Sequence, residues 1–204
     1  MAQRQDLDAG VGVPHFVEDS SQSNSDSPYL PDQDYYRALQ ALVITCVDVL
    51  LVHADRVLLG RRHQPPRLGW WVLGGRMHVG ESPLVAVQRK LNQEAGLWLA
   101  RERFHYLGAY SSHFSGVAQK PAQEQAPPWQ HPGLHSVNLT YFATLCDAER
   151  QAITLTPQEY AGANWFSLSS VEADLRAQIP TPLSTMDLYL NHILKDLRSY
   201  LGLR

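Results

Sequence analysis

Gly74-Gly75-Arg76-Met77-His78-Val79-Gly80-Glu81-Ser82-Pro83-Leu84-Val85-Ala86-Val87-Gln88-Arg89-Lys90-Leu91-Asn92-Gln93-Glu94-Ala95-Gly96-Leu97 is a glycine-rich loop that runs straight into a helix carrying a carboxylate. That order of parts suits a metal-assisted phosphate site. The preceding Trp70-Trp71-Val72-Leu73 reads as a short buried strand, and the glycines after it permit positive φ and close approach of backbone to a ligand. Ser82 is placed to cap the helix with Pro83 at its first position, and Ala95-Gly96 to end it. Leu84, Val87 and Leu91 recur at three- and four-residue steps and form one apolar face. Lys90, Gln93, Glu94 and Leu97 fall on another, so Glu94 is directed at the loop that bends back over it.

Outward from this stretch, Ala41 to Val52 and Arg56 to Arg62 read as two strands of a hairpin, joined by His53-Ala54-Asp55. A short helix over Asp32 to Gln40 would pack through Tyr35, Tyr36 and Leu39. On the C-terminal side, Phe104 to Phe114, Ser136 to Cys146 and Ala163 to Phe166 are expected strands, and Ser169 to Ala177 a helix. Thr185 to Leu201 is a clear helix, because Met186, Leu190, Ile193, Leu194, Leu197 and Leu201 keep helical spacing. Residues 115–135, rich in Gln, Ala, Pro and Gly, form a long insertion that reads either as a flexible flap carrying Trp129 or as a disordered insertion. Residues 1–30 form a polar, serine-rich tail expected to be disordered, which leaves 31–204 as the folded domain with its C-terminal helix. Strands and helices in this order fit an α/β or α+β arrangement, a mixed sheet covered by helices.

At 204 residues the chain can bury a full core without disulfides or structural metal. A net charge of -3 and a pI of about 6.3 give no bulk attraction to nucleic acid or to an anionic membrane. The longest apolar run, Ala41 to Val52, is too short to span a bilayer, and no signal peptide is visible, so the cytoplasm is the default compartment. Cys46 and Cys146 each sit in an apolar run and read as core residues of a reducing compartment.

The spacing Gly75, five residues, Glu81, seven residues, Arg89, then Leu91, Glu94, Gly96 and Leu97 resembles the signature box of the Nudix hydrolases. Lys90 and Gln93 stand where that box carries two further Glu residues, which leaves Glu94 as the cluster's only carboxylate. The resemblance implies an α/β/α sandwich around a mixed β-sheet, covering about residues 41–180. It also implies Mg, with Mn as a substitute, bound by Glu94 and the carbonyl of Gly74. Glu159, in the loop ahead of the Trp165 strand, matches the place where these enzymes put a metal ligand or catalytic base. Arg89 joins the catalytic set as the residue that orients Glu81 or Glu94. Lys90 sets the metal count: a cation ~7 Å from a divalent ion costs roughly 5 kcal/mol at an effective dielectric of about 20, so one ion per site is expected.

The Gly-Gly-Arg start, the depleted cluster, an Arg ending the second strand and an Asp in the first are similar to the GDP-mannose mannosyl hydrolase subfamily. By motif position Asp48, Arg62 and Arg76 would bind substrate. The base of that subfamily is a His, and Tyr160 stands here instead, with Glu159 before it. The implied activity is therefore Mg-dependent hydrolysis of a nucleoside diphosphate linked to a sugar or similar group. Two alternatives stay open: a pyrophosphohydrolase on another nucleotide, and a catalytically weak module that binds a nucleotide as a sensor. The expected partner is the nucleotide substrate, with no nucleic acid and no membrane; a homodimer is left open.

Overall fold

The computed structural model describes residues 12–16, 29–64, 68–118, 130–178 and 185–203. Trp129 lies outside them, as do the centre of the 115–135 insertion and most of the N-terminal tail. Helix α1 (Asp32–Ala41) leads into β1 (Ile44–His53) and β2 (Arg56–Arg62), then β3 (Gly69–Trp71), β4 (Leu73–Arg76) and helix α2 (Pro83–Ala95). After a 3-10 turn at Arg101–Arg103 come β5 (His105–Ala118), β6 (Gln130–Thr144), α3 (Asp147–Ala152), β7 (Tyr160–Ser167), α4 (Val171–Arg176) and α5 (Thr185–Tyr200).

The sheet is mixed. Its path runs β3-β2-β1-β6-β5, with β4 paired to β1 and β7 to β2. The β1–β6 pair is parallel, whereas the other pairs are antiparallel. Central β1 is buried nearly end to end because both of its faces are covered. Val47, Val49 and Leu51 pack with Leu84, Val87 and Leu91 of α2, while Leu50 and Val52 pack with Val171 and Leu175 of α4 and Leu190, Ile193 and Leu194 of α5. These two cores on opposite faces make the expected α/β/α sandwich. No helix among the described residues is long and apolar enough to cross a membrane.

Three details depart from the sequence reading. The expected strand through Trp70 and Leu73 is two strands, because Trp71 and Val72 face the α5 core and Leu73 the α2 core. That break in alternation hands the chain from β2 to β1, where Leu73, Gly74, Gly75 and Arg76 pair with Val49, Asp48, Val47 and Cys46. Strands β5 and β6 continue beyond Phe114 and begin before Ser136, so their pairing reaches Ala118 and Gln130. Cys46 is buried as expected, but Cys146 is exposed. It caps α3, a helix too short for its periodicity to register, and its backbone N–H donates to Glu149 at 2.9 Å.

Candidate active site

The glycine loop and α2 are built as their sequence dictates. Ser82 Oγ accepts from Val85 N at 3.3 Å, Pro83 opens the helix, and Gly96 ends it at φ 64°. The pairing of β4 with β1 then presses Gly74 against Asp48: a Cβ on Gly74 would lie 2.2 Å from the Val47 carbonyl oxygen and 2.8 Å from Asp48 Oδ1, at φ 151°. Only glycine fits there.

Arg89 holds the loop. It donates to both carboxylate oxygens of Glu81, to the Arg76 carbonyl at 3.0 Å and to Gln93 Oε1 at 3.2 Å. Glu81 in turn accepts from His78 N at 2.7 Å. Of the two partners expected for Arg89, the geometry selects Glu81.

Glu94 is 1% exposed. Its Oε2 accepts from Gly74 N at 3.0 Å and from the Tyr160 hydroxyl at 2.6 Å. The Lys90 ammonium forms an ion pair with Oε1, without the directional geometry of a hydrogen bond. Burial, with the Glu94 carboxylate beside it, raises the Tyr160 phenol far above its ordinary pKa, so Tyr160 acts as a donor and not as a base. Backbone links complete the arrangement. The Glu94 and Ala95 carbonyls at the end of α2 accept from Thr156 N and Thr154 N at 2.9 and 3.0 Å, which hangs the Glu159 loop from the helix C-terminus.

A cleft of about 280 Å³ opens beside these groups. Asp48, Arg62, Gly74, Arg76 and Glu159 all line it, and Lys90 joins them. Glu94 lies behind its wall. Arg89 lines a neighbouring groove with Tyr29, His78 and Gln93. Arg62 Nη1 meets Glu159 Oε2 at 3.0 Å, and its buried Nε has no hydrogen-bond partner. The Arg76 guanidinium lies over the Tyr35 ring at 4.8 Å from its centroid.

Asp48, 4% exposed, accepts from the Tyr189 hydroxyl of α5 at 2.6 Å. Burial pushes its carboxyl up to about 7; the Tyr189 hydrogen bond opposes this, Glu94 adds to it and Arg62 opposes it. Asp48 is thus a cleft carboxylate that exchanges its proton near neutrality.

The sequence reading did not assign the cleft's far wall. Trp71, Phe114 and Leu134 make it apolar, and Ser136 and Asn138 give it a polar floor. Asn138 Nδ2 donates to Ser112 Oγ at 3.1 Å and to Ser136 Oγ at 3.2 Å. A signal was present in the alternating Ser136, Asn138 and Thr140, but the parallel register that lays them beside Ile44, Cys46 and Asp48 is set by tertiary pairing. His113 and His135 pair with each other across the hairpin at 5.3 Å between rings, while the adjacent Phe114 and Leu134 line the cleft. Cys46 also lines it, its thiol pushed up to about 12 by burial.

Comparison with known proteins agrees with this architecture. A sequence profile of the NUDIX domain matches residues 44–185. No curated protein matches the chain. Among solved structures, the chain is similar to a bifunctional NMN adenylyltransferase/ADP ribose pyrophosphatase from Francisella tularensis complexed with AMP and Mn ion. Identity there is 15%, TM-score 0.50, and the match covers 80% of this chain and 47% of that one. It is also similar to the NUDIX domain of Shewanella oneidensis NrtR complexed with ADP ribose (21% identity, TM-score 0.47, 84% and 99% covered). A MutT NUDIX hydrolase from Burkholderia pseudomallei follows (20% identity, TM-score 0.47, 76% and 98% covered). These likenesses do not single out the GDP-mannose mannosyl hydrolase subfamily. The profile match across most of the chain is decisive: the chain belongs to the Nudix hydrolase family.

Proposed function

We propose that the chain hydrolyses a nucleoside diphosphate linked to a sugar or similar group, bound in the cleft between β1, β4 and β6. The supporting observation is the composition of that one cleft: Arg62, Arg76 and Lys90 bring three cations to it, Asp48 and Glu159 two carboxylates, and Trp71 and Phe114 an aromatic wall. Guanidinium and ammonium groups match diphosphate oxygens, aromatic surface suits a base, and the carboxylates serve sugar hydroxyls and the attacking water. Glu159, fixed by Arg62, is the proposed base. It takes the proton of a water whose oxygen adds to the phosphorus, and the bridging P–O bond breaks. Asp48 is the proposed hydroxyl partner.

Nudix enzymes generally use divalent cations, and the proposed Mg ligands are Gly74, Glu94 and Glu159. The donor set fits poorly. Both Glu94 oxygens are engaged within the chain and Glu159 is neutralised by Arg62. Among the described residues there is no group of three or more His, Cys, Asp or Glu that could hold a metal ion. The test is incubation of the purified protein with a panel of nucleotide sugars and identification of products. Release of a nucleoside monophosphate supports attack at phosphorus, a nucleoside diphosphate indicates attack at the sugar carbon, and binding without turnover favours the sensor reading. Absence of both binding and turnover across the panel refutes the proposal.

A further inference from the structure

In the box that this chain resembles, the carboxylate at position 94 faces a divalent cation. Here a cation of the chain itself faces it. The Lys90 ammonium pairs with Glu94 Oε1, and its side chain is only 14% exposed. The glycine loop makes room for it: a Cβ on Gly75 would lie 3.0 Å from Lys90 Cε and 3.2 Å from Nζ, at φ 152°. Lys90 also reaches the cleft wall together with Gly74, Gly75, Arg62 and Arg76. The other side of Glu94 is closed by Gly74 N and the Tyr160 hydroxyl. A divalent ion at Glu94 would have to displace the ammonium, and it would meet a carboxylate whose other oxygen already accepts two hydrogen bonds.

We propose that the Lys90 ammonium takes the place of the box cation, and that the cleft binds the diphosphate through Lys90, Arg62 and Arg76 without a metal; the second half rests on the nucleotide reading given above. Glu94 is then a positioning residue, which fixes the ammonium on Gly75. Tyr160 fixes Glu94 in turn. A single charge replaces a double one, and the two guanidinium groups of the cleft supply the remainder. A lysine is suited to this place as a compact point charge that contacts phosphate without requiring a set of oxygen ligands.

Two titrations test the proposal on the full chain. In the first, Mn²⁺ alone is titrated and free ion read by electron paramagnetic resonance. Glu94→Gln is expected to leave Mn²⁺ affinity unchanged, whereas Lys90→Glu with Gln93→Glu is expected to raise it by at least about tenfold, having removed a cation and added two carboxylates. A fall of about tenfold or more in Glu94→Gln shows the unaltered protein ligating metal through that carboxylate and overturns the proposal. In the second, GDP and ADP are titrated calorimetrically in EDTA and again in Mg²⁺. Equal affinity in both, reduced by at least about tenfold in Lys90→Met, supports the proposal. Affinity that appears only with Mg²⁺ overturns it. If Lys90→Met does not fold because Glu94 is left unpaired, Lys90→Met with Glu94→Gln removes both charges together and carries the same expectation. Absence of nucleotide binding in both buffers refutes the nucleotide reading of the cleft, and the Mn²⁺ comparison still decides whether Lys90 excludes the ion.

Discussion

Replacing Asp48 by Asn will remove a pH dependence from the stability of the fold. Asp48 is buried against Gly74, accepts from Tyr189 at 2.6 Å, and has its carboxyl raised from 3.8 to about 7 by burial. The charges facing it are Glu94 from α2, which favours the proton, and Arg62 from β2, which opposes it. A carboxyl raised on folding makes the folded state hold its proton more tightly than the unfolded chain does. Its contribution is whole below the unfolded value and is lost as pH rises through the folded one. One pKa unit is about 1.4 kcal/mol, so the full swing is about 4 kcal/mol, of which more than half falls between pH 5 and pH 8. Asn keeps an acceptor for the Tyr189 hydroxyl and carries no charge, so the variant should lack this swing. It should therefore gain on the unaltered protein as pH rises. Urea unfolding of both proteins at pH 5 and pH 8 measures it, with the difference between them cancelling the other titrating groups. Parallel stabilities at the two pH values would show that Asp48 is ionised and solvated throughout, and would refute its placement as a buried proton carrier.

Tyr160→Phe removes one of two hydrogen bonds to Glu94 Oε2 in a buried setting, and is expected to cost about 1–3 kcal/mol in denaturant unfolding. An unchanged midpoint would mean that water replaces the phenol. Gly74→Ala sets a Cβ 2.2 Å from the Val47 carbonyl oxygen at φ 151°, and should cost about 3 kcal/mol or more, or prevent folding altogether. A variant that melts with the unaltered protein would refute the register of β4 on β1. Glu159→Gln should lower kcat by roughly 10²–10⁴ with little change in KM if Glu159 is the base, and a loss confined to KM would assign it to binding instead.

The box was legible because its signals are local. Ser82, Pro83 and Gly96 act within a turn of their own positions, and the spacing of Leu84, Val87 and Leu91 needs only a helix to become a face. Asp48, Arg62, Gly74, Arg76 and Glu159 were placed by motif position from the family resemblance, and all line the same cleft. What the sequence withheld depends on pairing between distant segments. Tyr189 belongs to α5, whose apolar spacing announces a helix but not that its first turns reach Asp48. Ser136 and Asn138 become a cleft floor only because β6 runs parallel to β1, a choice that local pattern does not encode.

Lys90 shows where a motif position and its chemistry part company. As a letter in the box it is a missing carboxylate, and the reading it suggests is a weakened metal site. As a side chain it lies on Gly75, neutralises the carboxylate that remains and faces the cleft that Arg62 and Arg76 also line. The i to i+4 spacing from Lys90 to Glu94 is compatible with the pair. Spacing could not say how deep the pair would lie. An exposed pair of this kind leaves Glu94 free to turn toward a metal, whereas a buried carboxylate that loses its ammonium keeps an uncompensated charge. The burial of Glu94 therefore ties Lys90 to its place, and any substitution at one of the two has to be judged by what it does to the charge of the other.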